Sequence, residues 1–121
     1  MSFSDAIRSG FDNYVNFEGR ASRAAFWWWF LFAILVAIAA NIIDAIIGAP
    51  IFSLLTGLGL LLPNLAVSVR RLHDTNRSGW WILIGLIPLI GFIVLLIFYL
   101  QQSDPGENDY GPPMQPVGPA A

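Results

Sequence analysis

The chain is 121 residues long, 56% hydrophobic and only 12% charged, with a mean hydropathy of +0.65; soluble domains carry roughly 25% charged residues, so this composition points to a membrane. Its six Lys/Arg positions are all arginine, its net charge is −2, and no patterned basic patch suggests a nucleic-acid partner. Without cysteine there is no disulfide framework, no thiolate nucleophile and no thiolate metal ligand.

The N-terminal stretch "MSFSDAIRSGFDNYVNFEGRASR" spaces Phe3, Ile7, Phe11 and Tyr14 at steps of four, four and three, one face of a helix over about 3–16. Such a face suits a helix lying on the membrane surface. It suits equally a short helix packed on the protein's own cytoplasmic side. Gly10 weakens either version by roughly 1 kcal/mol.

A hydrocarbon layer about 30 Å thick requires roughly 20 apolar residues in helix. Three runs fit that length: 24–43, containing "AAFWWWFLFAILVAIAA"; 51–69, "IFSLLTGLGLLLPNLAVSV"; and 80–99, "WWILIGLIPLIGFIVLLIFY". All are continuously apolar, and three in so short a chain leave too few polar faces for a water-soluble bundle. The expected fold is therefore an all-α integral membrane protein with three transmembrane helices and an N-terminal interfacial amphipathic helix, one membrane domain over 1–112. The first run begins after more than twenty residues and is followed by two others, so it reads as an uncleaved span rather than a secretory signal. The Pro/Gly-rich tail over 113–121 has no apolar period and should be irregular. Asp104, Glu107, Asn108 and Asp109 do not have the spacing of an EF-hand calcium loop and read as a solvated acidic turn.

Arginine placement orients the chain. Arg8, Arg20 and Arg23 precede the first run, Arg70, Arg71 and Arg77 lie between the second and third, and the "DAIIGAP" connection and the tail contain none. Positive residues stay on the cytoplasmic side of short loops. Three crossings then place the N-terminus in the cytoplasm and the C-terminus in the periplasm. Trp27, Trp28, Trp29, Trp80 and Trp81 would line the cytoplasmic headgroup level, and Tyr99 alone the opposite one.

The strings "FEGRASRAAFWWWFLF", "LLPNLAVSVRRLHDTNRSGWW" and "PGENDYG" resemble the successive signatures of a small bacterial inner-membrane family, domain of unknown function 805, over about Tyr14 to Pro112. The matching residues are Gly19, Arg20, Arg23, Arg70, Arg71, His73, Asp74, Arg77, Ser78, Gly79 and Trp80; Ala24 and Ala25 depart from it, standing where more polar residues are expected. The resemblance implies a few membrane helices in the bacterial inner membrane and brings no established activity. Family versions joined to soluble modules imply a unit that anchors, assembles or senses.

The cluster "RRLHDTNRSGWW" admits three readings. Its arginines can anchor topology, snorkelling to phosphates and pairing with Asp74 and Glu18, with Ser78 capping the helix that follows. Alternatively Arg20, Arg23, Arg70, Arg71 and Arg77, with the N-terminus of the third helix, form an anionic-headgroup site. Thirdly, His73 beside Asp74 suggests an acid–base pair, but neighbours on a helix do not face each other and no nucleophile accompanies them. One His and one Asp make a poor metal site. Beneath the loop, Asn64, Ser68 and Arg71 share a helical face, an intramembrane polar stripe in which Asn64 can bond across the bundle, and Pro63 frees a carbonyl.

These readings converge on a small structural or lipid-interacting module, not an enzyme, with no cofactor and no metal. Its expected partners are membrane lipids, anionic ones above all, and a second copy or a larger membrane protein. The alternative is a subunit of a transporter or channel.

Overall fold

The computed structural model describes residues 1–114, and its regular structure is helical apart from one isolated bridge between Asn108 and Gly111. Of the tail expected over 113–121, residues 115–121 lie outside the described residues.

Helix α1 spans Phe3–Asp12 and starts on a capping box: Ser2 Oγ accepts from Asp5 N at 3.2 Å and Asp5 Oδ2 from Ser2 N at 3.3 Å. It ends short of the expected residue 16, where the Asn13 carboxamide donates to Ser9 O at 2.8 Å and occupies a terminal carbonyl. The helix packs on the protein itself: Ala6, Ser9 and Gly10 are buried, and Phe3 and Phe11 meet the rings of Trp28 and Trp29. Gly10 has a packing reason that outweighs its poor helix propensity, since a Cβ there would overlap the Trp29 ring.

Two long helices carry the fold. Helix α2, Arg23–Ile47, is capped by Ser22, and helix α3 covers Ile51–Asp74; at 1.5 Å per residue each is about 36 Å long, enough to cross a bilayer. They form a hairpin through a turn of three residues, 48–50. Pro50 gives α3 no side-chain cap, so Asp44 reaches over from α2 and accepts from Phe52 N at 2.7 Å and Ser53 N at 3.0 Å. Ile38, Ile42 and Ile46 on α2 and Leu54 and Leu58 on α3 are all more than half exposed. An apolar outer face of this kind is tolerated in lipid and not in water.

The third apolar run does not form the helix expected over 80–99. It folds into two arms: a 3-10 helix, Gly79–Leu86, and helix α4, Ile90–Leu100. Pro88 causes the break. It has no N–H to donate, and it forces Ile87 into extended backbone, φ −85° and ψ 112°. Leu89 then turns the chain at φ 63° and ψ −60°, with Ile90 N donating to Pro88 O at 2.7 Å in a γ-turn. The arms run antiparallel, for Trp81 packs edge-on against Phe98 at 5.6 Å and Gly91 lies so close to the Ile84 carbonyl that no Cβ would fit. Each arm is about 16 Å long, half the thickness of the hydrocarbon layer.

This hairpin brings the chain back to the end it left. Tyr99, expected alone at the far interface, packs its ring at a tilt of 30° against Phe26, centroids 4.4 Å apart, and takes the Trp27 indole N–H on its carbonyl at 3.2 Å. Residues 101–112 therefore sit against the arginine-bearing ends of α2 and α3, and among the described residues no single span-length helix over 80–99 separates them from those ends. Two helices here are long and apolar enough to span, accompanied by one shorter apolar helix.

Candidate functional site

The site is built on the last turn of α3. Asp74, 1% exposed, is shared by two arginines from different parts of the chain: Arg20 Nε reaches Oδ1 at 2.9 Å and Arg71 Nη1 reaches Oδ2 at 2.6 Å. Both guanidinium groups are fully enclosed. A buried ion pair holds only where the remaining donors are also satisfied, and here backbone carbonyls satisfy them. Arg20 donates to Gly106 O and Asp104 O, each at 2.7 Å, to Asp74 O at 3.2 Å and to Gly111 O at 3.2 Å. Arg71 donates to Tyr99 O at 3.2 Å, Ala21 O at 3.4 Å and Gln101 O.

Those acceptors include the carbonyls left over at the C-terminus of α4. Tyr99 O takes Arg71 and Trp27, Leu100 O takes Arg23 at 3.3 Å, and Gln101 O takes Arg71 again. Positive charge at the negative end of a helix dipole is favourable, and the unpaired carbonyls gain donors at the same time. The sequence places the arginines beside the N-terminus of the third apolar run; in the folded chain they gather at its C-terminus.

His73 faces away from Asp74. Its Nδ1 donates to Gly19 O at 2.9 Å, and its ring stacks on Tyr110 at 4.0 Å and an interplanar angle of 2°. Asn108 donates to His73 O at 2.9 Å, and Asp109 N donates to Asn76 Oδ1 at 3.0 Å. Arg77 lies 4.0 Å above the Phe98 ring and donates to Gln101 Oε1 at 2.6 Å and Thr75 Oγ1 at 2.7 Å. Ser78 Oγ accepts from Trp80 N at 3.3 Å at the start of the 3-10 arm. Glu18 is exposed and forms no ion pair among the described residues. Arg70 is 3% exposed, yet its Nε and Nη2 have no partner among the described residues.

Deeper along α3, Asn64 Oδ1 accepts the Trp29 indole N–H at 2.7 Å, and Ser68 Oγ donates to Asn64 O at 2.7 Å. Pro63 removes the amide that would pair with the carbonyl four residues earlier, that of Gly59. The Tyr14 hydroxyl donates to that carbonyl. Residues of the tail are the part of the site that composition did not reveal: Gln101, Asn108 and Tyr110 all contact the arginine and histidine positions. Their signal was the string "PGENDYG", legible as a motif but not as a partner of "RRLHD" 30 residues earlier.

Comparison with known proteins gives the same boundaries. The profile of the family described as "Protein of unknown function (DUF805)" matches residues 14–112. The chain is 45% identical over 101 residues to the Escherichia coli (strain K12) "Inner membrane protein YhaI", covering 82% of this chain and 86% of that one. It is 41% identical over 106 residues to "Inner membrane protein YhaH" of the same strain, covering 83% and 88%. No solved structure matches. The family profile spans the Arg20–Asp74–Arg71 lock together with the tail carbonyls that complete it, and the chain belongs to the DUF805 family of bacterial inner-membrane proteins.

Proposed function

We propose that this protein is a small, non-catalytic module of the inner membrane in which an arginine lock clamps a half-depth hairpin and an acidic tail onto two spanning helices at the cytoplasmic face. One observation carries the reading: the donors of Arg20 and Arg71 are directed inward, to Asp74 and to carbonyls of the hairpin end and tail, and so build a shape rather than a reaction centre. His73 is likewise engaged by Gly19 and Tyr110, and among the described residues no serine hydroxyl is hydrogen-bonded to its ring. The cytoplasmic placement follows from the arginine bias. The apolar belt leaves room for self-association or a larger membrane partner, which native mass spectrometry with lipids retained would count.

The clamp is tested by Asp74→Asn. The substitution leaves two buried guanidinium groups without a counter-charge, a change of about 3–5 kcal/mol for a buried pair broken on one side. The variant in detergent should melt well below the parent and be cut faster by protease between Gln101 and Gly111, with helix content by circular dichroism retained below the transition. Unchanged cleavage of the tail would defeat the clamp.

A further inference from the structure

We propose that the protein recognises a lipid surface by its curvature: the chain is a cone, wide in the cytoplasmic leaflet and narrow in the periplasmic one, and it partitions into membrane whose cytoplasmic leaflet is convex. This rests on the two-crossing reading given above and adds to it the kind of bilayer that the folded shape fits.

The width of the molecule changes near its middle. On α3 the buried residues all lie from Pro63 onward, and on α2 only Ala40 and Asp44 are buried beyond Trp29. The other elements pack at the arginine end. Helix α1 lays Phe3 on Trp28 and Phe11 on Trp29 and Phe32. The 3-10 arm brings Leu83 to a cleft shared with Leu65, and α4 brings Phe92 to a pocket shared with Phe30. Leu65 is nine residues from the end of α3 and Phe30 seven from the start of α2, so both lie about 10–14 Å from that end of the bundle. Just beyond those levels the hairpin stops, and Leu86, Leu89 and Ile90 at its tip are 80%, 71% and 63% exposed. With each helix about 10–12 Å across, the cytoplasmic leaflet holds four helical cross-sections and α1 besides, and the periplasmic leaflet holds two.

The surface of the narrow half fits lipid better than a partner helix. Exposed leucine and isoleucines from Ile34 to Ile47 are spread, at about 100° per residue, over roughly 220° of the circumference of α2. A stripe that packs on another element is about 100° wide. A body of this shape takes more area from one leaflet than from the other. Where the bilayer bends with its cytoplasmic leaflet outermost, that leaflet is stretched and the extra cross-sections relieve it. Bent the other way, the same leaflet is compressed and the insertion costs more.

The experiment uses the full chain with Glu18→Cys, an exposed position at the arginine end, which takes one fluorophore because the sequence has no other cysteine. The protein is reconstituted into giant vesicles of phosphatidylcholine and phosphatidylglycerol, from which narrow tubes are drawn. A membrane-impermeant quencher, added outside or enclosed within, leaves visible only molecules of one orientation. Those with the arginine end outward should be enriched in the tube about twofold or more over the parent vesicle, and those with it inward should be depleted. Equal ratios for the two orientations, or the reverse order, would overturn the proposal. So would a dimer in native mass spectrometry that sorts in neither orientation, since a second copy would then fill the narrow half. The same chain labelled through Ala121→Cys separates this failure from that of the two-crossing reading. Quenching of Ala121 from the side opposite to Glu18 would mean that the third run crosses, whereas quenching from the same side without sorting would defeat the shape preference alone.

Discussion

The bond between Tyr14 and Gly59 shows how a single defect in a helix becomes a tether. Pro63 cannot donate, and the carbonyl it orphans sits in the apolar stretch of α3, where water cannot replace the lost partner. The hydroxyl of Tyr14 supplies the bond and ties the segment after α1 to α3. Tyr14→Phe should therefore cost about 1 kcal/mol, the net worth of a hydrogen bond measured inside membranes or a little more. In a Pro63→Ala background the new amide takes the same carbonyl, and the cost of Tyr14→Phe should fall to near zero. Equal losses in both backgrounds, measured as a double-mutant cycle in detergent, would show that the hydroxyl serves something else. The acceptor is legible in the sequence, since proline dictates which carbonyl is freed; the donor is not, because the spacing of Tyr14 places it on an apolar helical face. The same limit applies to Asp74. The sequence makes it a partner for arginine, but which arginines reach it depends on where the tail returns, and nothing local to Arg20 or Arg71 encodes that.

At the scale of elements, α2 and α3 were legible because long uncharged runs closed by Asp44, Pro50 and the arginine pair leave little choice in lipid. The third run has the same length and composition, and length alone made it a span. The decisive residues were Pro88 and Gly91, whose joint effect is geometric. Proline stops the 3-10 arm, and glycine lets α4 start with its backbone against the Ile84 carbonyl. Gly91→Val should force the arms apart, since the obstructing atoms are backbone and cannot swing away, and should lower stability by about 1–3 kcal/mol, as overpacking does elsewhere. Leu89→Gly should act in the opposite direction. Its left-handed backbone is strained for leucine by about 1–3 kcal/mol, and the side chain is 71% exposed, so little packing is lost. Thermal unfolding of the two variants side by side checks the hairpin, because a continuous helix through 80–99 would lose stability with glycine at 89 and would not lose it with valine at 91, where valine is the better helix former.

For the whole molecule, the hairpin decides an even or an odd number of crossings, and with it the side of the tail. With α2 and α3 as the crossings, all six arginines and residues 101–112 stand on one side and the turn over 48–50 on the other. The positive-inside bias is obeyed as well by this arrangement as by three crossings, because the tail carries no arginine and acidic residues contribute little to orientation. Charge counting therefore could not separate the two. The contacts of the tail support two crossings: Arg20 holds Asp104, Gly106 and Gly111, and Asn108 holds His73, partners that a bilayer between them would keep apart. A reporter active only in the periplasm, fused after Ala121 or inserted near Asn76, should be silent at both positions, and the same reporter placed in the turn at Ala49 should be active. A reporter active only in the cytoplasm should give the complementary result. Periplasmic activity at Ala121 with silence near Asn76 would mean that the third run crosses in the cell, and the arginine lock would then have to form without its tail carbonyls.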